Sequence, residues 1–214
     1  MPGTVLVTGG ARRLGKAIAD ALRERGWNVL IASRTASLAF DLAAPGAPER
    51  LFETAQAAAP DLCAIVNNAA LFSQDGEMPP DELARLRAIN VDAPRALTAL
   101  LASHGDGAVV NVLDCRALAA PSTADTPYLQ SKRDLLAATF EDARRFAGRV
   151  RVNAVAPGPV LPPENCHERG GATPLGRHPT PQEVADAVAY LLSAESTTGA
   201  VVPVDGGQSI TFQT

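Results

Sequence analysis

Short, uniformly apolar runs alternate with longer amphipathic stretches along the whole chain. Thr4–Thr8, Asn28–Ala32, Cys63–Asn67, Ala108–Leu113, Arg151–Val155 and Ala200–Val204 are rich in small and β-branched residues and lack polar alternation. Strands covered on both faces read this way. Between them, apolar positions recur with helical spacing at Gly15–Arg25, Ala47–Ala59, Pro80–Ser103, Tyr128–Phe146 and Pro181–Ser193. The alternation predicts an α/β fold, a doubly wound parallel sheet with helices on both faces.

The pattern breaks in one place. Only a handful of residues separate the second strand, ending near Ser33, from Phe40–Asp41. A parallel crossover ordinarily takes about a dozen residues and a helix. The crossover helix after the second strand is therefore expected to be missing, with any third strand short and irregular and the sheet trimmed at that edge. Pro157–Pro181 is the one long irregular segment, and such loops are usually functional. Within it, Pro159–Gly176 is expected to form a substrate lid, with Gly170 and Gly171 giving it mobility.

Composition narrows the classes. The 214 residues are 46% hydrophobic and 20% charged with a net charge of -4, ordinary for a globular chain and enough for one domain over residues 1–214. No basic stripe marks a nucleic-acid partner. No signal-like segment precedes Thr4, and no window reaches the roughly 18 apolar residues that span a bilayer. Three cysteines (Cys63, Cys115, Cys166) and three scattered histidines (His104, His167, His178) lack metal spacing. The expectation is a cytoplasmic protein with reduced thiols, no metal and no membrane partner.

The first strand runs into Thr8-Gly9-Gly10-Ala11-Arg12-Arg13-Leu14-Gly15, which opens a helix. Glycines there let the backbone approach a pyrophosphate, and the helix start offers unpaired N–H groups. The second strand ends in Ser33-Arg34-Thr35, with no carboxylate to take a ribose 2′-hydroxyl. Arg34 can instead pair with a 2′-phosphate, assisted by Ser33, Thr35 and Arg12, which favours NADP(H) over NAD. Asp41-Leu42 falls where a side chain could meet the adenine amino group.

Tyr128 and Lys132 stand four residues apart, on one helical face. A phenol titrates near ~10, and a neighbouring ammonium, with the positive nicotinamide of an oxidised cofactor, lowers that value. Tyr128 is thus the candidate proton donor for a hydride-accepting substrate, with Lys132 as its assistant. Pro94 lies four residues after Asn90 and has no N–H, so the Asn90 carbonyl is left free for a water.

Taken together, the glycine loop, Asn67-Asn68-Ala69-Ala70, Asn90, Tyr128/Lys132, Pro157-Gly158 and the closing Thr198-Gly199 and Val204-Asp205-Gly206-Gly207 resemble the short-chain dehydrogenase/reductase family. The resemblance spans nearly the full chain. It implies a Rossmann-type fold and a cofactor site built from Gly9, Arg12, Arg13, Leu14, Gly15, Asn68, Ala69, Ala70, Pro157, Gly158 and Val160, with Tyr128 and Lys132. It also implies a proton relay through Asn90 and a homotetramer packed on the two long helices.

The chain departs from that family where a Ser commonly polarises the substrate carbonyl, about thirteen residues before the Tyr. Cys115 stands at that spacing, but the strand register points to Asp114, fourteen residues before Tyr128. Asp at this position is similar to the pteridine reductase branch, including dihydromonapterin reductases. Arg13, Phe72 and Leu161-Pro162-Pro163 with Thr173-Pro174-Leu175 also resemble that branch. The resemblance implies that Arg13, Phe72, Asp114, Tyr128 and Leu161 bind a flat heteroaromatic substrate. A carbonyl/alcohol oxidoreductase and a catalytically idle NADP-binding regulatory protein are the alternatives.

Overall fold

In a computed structural model, which describes residues 2–35, 38–73, 77–122, 125–162 and 173–212, the apolar runs become seven strands. They are β1 (Thr4–Thr8), β2 (Asn28–Ser33), β3 (Leu38–Ala39), β4 (Leu62–Asn67), β5 (Gly107–Val112), β6 (Val150–Pro157) and β7 (Val201–Val204). All neighbours pair in parallel, in the order β3-β2-β1-β4-β5-β6-β7. The order reverses between β1 and β4, which opens a crevice beyond their carboxyl ends, where ligands bind such sheets.

Alternate residues explain why the strands are apolar throughout. Val5 and Val7 of β1 pack on one face with α1 (Arg13–Glu24) and α6 (Pro181–Ser193), through Ile18, Leu22, Val184 and Val188. Leu6 between them points to the other face, where α2 (Ala47–Ala58) and α4 (Ala93–His104) supply Leu51, Phe52, Leu97 and Leu101. Helix α5 (Pro127–Arg145) lies on the same side and packs Leu135 against Ala154 and Ala156 of β6. Each β1 residue is therefore enclosed twice, and polar alternation has no face to occupy.

The trimmed edge is as expected. Residues 34–37 alone connect β2 to β3, and β3 pairs over just Ala32↔Leu38 and Ser33↔Ala39. Four residues are too few for a crossover helix, and β3 comes into register with β2 over two residues.

The long helix expected over Pro80–Ser103 is instead three pieces. Helix α3 (Pro80–Arg87) passes through a π-helical turn, Ala88–Asp92, into α4. The cause is Pro94, whose missing N–H cannot continue the ladder to Asn90. The turn widens, and Ala93 N–H donates to the Ala88 carbonyl, five residues back. Strand β5 also stops one residue early, leaving Leu113 and Asp114 beyond its carboxyl end, while β6 extends to Pro157. Most of the expected lid, with Pro163, Cys166, His167, Gly170 and Gly171, lies outside the described residues.

Candidate active site

The nucleotide loop is stapled to β4 before it reaches the cleft. Asn68 Nδ2 donates to the carbonyls of Thr8 (3.0 Å) and Gly9 (3.2 Å), and Thr8 Oγ1 accepts from Asn68 N and Ala69 N, both at 3.1 Å. This closeness is why glycines are needed. Gly9 has φ +67°, and a Cβ there would stand 2.9 Å from Ala69 Cα; one at Gly15 would stand 2.2 Å from the Gly9 carbonyl oxygen. Arg13, at φ +53°, holds a left-handed conformation that costs a non-glycine residue about 1 kcal/mol or more. Its guanidinium donates to the Pro162 carbonyl at 2.5 Å, tying the nucleotide loop to the segment after β6. The start of α1 has no side-chain cap and no acid in its first turn, so its amide groups suit a phosphate.

At the end of β2, Ser33 Oγ accepts from Thr35 N at 3.1 Å, and Arg34 makes no ion pair among the described residues. Asp41 is more engaged than its sequence context indicated. Arg85 Nη2, from α3, donates to both of its oxygens at 3.0 and 2.9 Å, and Ala43 N donates to Oδ1 at 3.1 Å. Arg85 foremost, with Arg34 contributing, holds this carboxyl below the usual carboxylate range.

The other end of the cleft gathers the candidate catalytic groups. Thr126 caps α5 by accepting from Leu129 N, and the helix then delivers Tyr128 and Lys132 to one face beneath β5. Lys132 Nζ is buried and donates to the Val112 carbonyl at 2.8 Å; it lies 5.8 Å from the Tyr128 ring centre. Tyr128 Oη lies 3.4 Å from Asp114 Oδ2. The Phe72 ring, more than half exposed, meets the Tyr128 ring edge-on at 4.8 Å. Phe72 is therefore a wall of the cleft and not part of the core.

Asp114 also caps the 3-10 turn Cys115–Leu118, accepting from Arg116 N at 2.9 Å, while the Arg116 guanidinium grips both its oxygens at 3.0 and 2.8 Å. Behind Tyr128, Asn90 is wholly buried. Its side chain takes both backbone groups of Leu71 (2.8 and 3.0 Å) and donates to Ser131 Oγ at 2.9 Å. These bonds fix Phe72's neighbour against the start of α5.

The electrostatics correct one part of an expectation, the share given to Lys132. The protein's own groups do not lower the Tyr128 phenol. Burial, and then the charge of Asp114, push it above its ordinary value, with Arg116 offsetting part of the rise. Lys132 is itself disfavoured as a cation: burial pulls it down to about 8, against the opposing pull of Asp114. The chain thus holds Tyr128 as a phenol with a proton to give.

These two ends line a single cleft of about 1140 Å³, ample for a dinucleotide and a small second ligand. Every expected cofactor and substrate residue lines it, including Arg12, Leu14, Thr35, Leu42, Ala70, Pro157, Gly158, Val160 and Leu161; Asn90 stands behind its wall. A Cβ on Gly158 would press on Asp205 Cα at 2.9 Å. Asp205 in turn accepts from Gly207 N and Ser209 N, seating Gln208 in the wall, where its Oε1 accepts from the Cys115 thiol at 3.3 Å. Sequence reasoning missed Arg85, Arg116 and Gln208. Only Arg116 had a local signal, its place two residues after a capping Asp.

A family model described as enoyl-(acyl carrier protein) reductase matches residues 9–209. The chain is a short-chain dehydrogenase/reductase. Among relatives of this reductase, the dihydromonapterin reductase of Citrobacter koseri is 32% identical, with 98% of each chain covered. The alternative dihydrofolate reductase 1 (FolM) of Brucella canis, solved with NADP, superimposes at a TM-score of 0.86 with 32% identity, over 99% of this chain and 96% of that one. The aldohexose dehydrogenase of Thermoplasma acidophilum matches at 0.85 with 26% identity, over 97% and 94%.

Proposed function

We propose that this short-chain reductase uses NADPH to reduce a pteridine of the dihydropterin or dihydrofolate type. The observation that carries the reading is the Asp114 carboxylate set 3.4 Å from the Tyr128 hydroxyl, beside the half-exposed ring of Phe72. An ionised carboxylate accepts hydrogen bonds and does not donate them. Paired with Arg116, it has no proton to offer a carbonyl oxygen beside Tyr128 but keeps lone pairs that can receive ring N–H and amino groups. Phe72 offers such a ring an apolar face, and Arg13 a donor for its oxygen or nitrogen. The two pterin- and folate-related relatives at 32% identity support the same substrate class.

Cofactor residues follow from the same cleft. The loop at Gly9–Gly15 and the α1 amides suit the pyrophosphate, Arg34 with Ser33, Thr35 and Arg12 the 2′-phosphate, and Asn68–Ala70 with Pro157–Val160 the nicotinamide side. NADPH, when bound, supplies the hydride. Tyr128 donates the matching proton to the ring nitrogen, so that a C=N bond takes up one hydride and one proton. Lys132 and Asn90 hold Tyr128's surroundings and are placed to return a proton to it through water.

The likeness to an aldohexose dehydrogenase favours a second reading, oxidation or reduction of a carbonyl/alcohol pair. Turnover of NADPH against dihydropterins, dihydrofolate, quinonoid pterins and simple ketones separates the two. Activity with the reduced pterins is expected; activity confined to ketones overturns the pteridine reading. NADPH binding without turnover of any of them would instead mark an idle binding protein.

A further inference from the structure

The trimmed edge of the sheet brings an acid next to the place where the 2′-phosphate subsite is proposed. Only residues 34–37 separate β2 from β3, so the chain returns at once and sets Asp41 near Arg34. A carboxylate at the end of the second strand is the arrangement that selects the unphosphorylated cofactor. Asp41 and Arg34 line the same cleft, within two residues of the paired Ala39 and Ser33 respectively. An unrestrained Asp41 would compete with a phosphate for the Arg34 guanidinium.

Arg85 prevents this. It reaches from α3, and its Nη2 lies 3.0 and 2.9 Å from the two Asp41 oxygens, while Ala43 N fixes Oδ1 from the other side. We propose that Arg85 sets the preference for the 2′-phosphorylated cofactor, acting through Asp41: it neutralises and holds a carboxylate that would otherwise claim Arg34. Arg85 is a positioning residue in this account, and the inference rests on the NADP reading given above. Both partners are about two-fifths exposed, so the effect is one of surface electrostatics, modest and sensitive to salt.

The test is equilibrium binding of NADPH and NADH, followed by nicotinamide fluorescence, for the wild type, Arg85→Met, Asp41→Asn and the double variant. Arg85→Met is expected to weaken NADPH about fivefold at low salt while changing NADH by less than about twofold. Asp41→Asn keeps an oxygen for the adenine amino group but removes the charge. The double variant should therefore regain NADPH affinity, and Arg85→Lys should keep most of it. Equal weakening of both cofactors, an unchanged NADPH affinity in Arg85→Met, or no recovery in the double variant each overturn the proposal. A wild type that binds NADH as tightly as NADPH removes the NADP reading itself, a result distinct from a preference that survives Arg85→Met.

Discussion

Burial and the charge of Asp114 hold Tyr128 as a neutral phenol, whereas Lys132 is a cation that burial disfavours and Asp114 supports, and both states are measurable. Lys132 is an ammonium in an apolar setting whose value falls from 10.5 to about 8. Below pH 8 the native and unfolded chains both carry this proton, so the full cost of burying it is present. The cost is relieved as the pH rises from about 8 to 10.5, where the native group releases its proton before the unfolded one does. Lys132→Met should therefore melt about 2–4 °C above the wild type at pH 7, net of the lost bond to Val112, while turnover collapses. The gain should shrink across that alkaline window, and a lower melting temperature at pH 7 would contradict the account. Tyr128→Phe should lose about 100-fold or more in kcat with NADPH affinity intact; an unchanged kcat removes Tyr128 as proton donor. Tyr128, Lys132 and Asp114 were visible in the sequence because their spacing is local. Arg85 was not, because it meets Asp41 across 44 residues and an exposed arginine carries no pattern of its own.

At the scale of elements, the strands were legible wherever both faces are covered, since β1 and β4 are apolar without interruption. The two-residue β3 was legible too, as a connection too short for a helix. What could not be read was how the long helix answers Pro94. The proline announces a break, but a kink and a π-turn are equally compatible with one missing N–H. The turn matters because Asn90 sits in it and clamps Leu71 and Ser131. Pro94→Ala restores the N–H and favours a regular α-turn, which would rotate Asn90 out of that clamp. A fall of about tenfold in kcat is expected with little change in NADPH binding. Unchanged kinetics would mean that the π-turn is held by packing and not by the proline.

Across the whole molecule, the cleft joins two chemically different ends, arginines at Arg12 and Arg34 and a phenol-carboxylate pair walled by Phe72, with Arg13 between them. We propose that four copies assemble in solution, packed on α4 and α5; light scattering at the mass of one or two chains would contradict it. The pteridine reading is tested most directly by following the hydride itself. NADPH carrying deuterium at the transferable position is mixed with a dihydropterin, and the product is analysed by mass spectrometry and NMR. The account predicts deuterium on a carbon of the pterin ring in the wild type and almost none with Tyr128→Phe in the same time. Unlabelled pterin, with deuterium delivered in a parallel reaction to the carbinol carbon of the alcohol formed from a simple ketone, would contradict it.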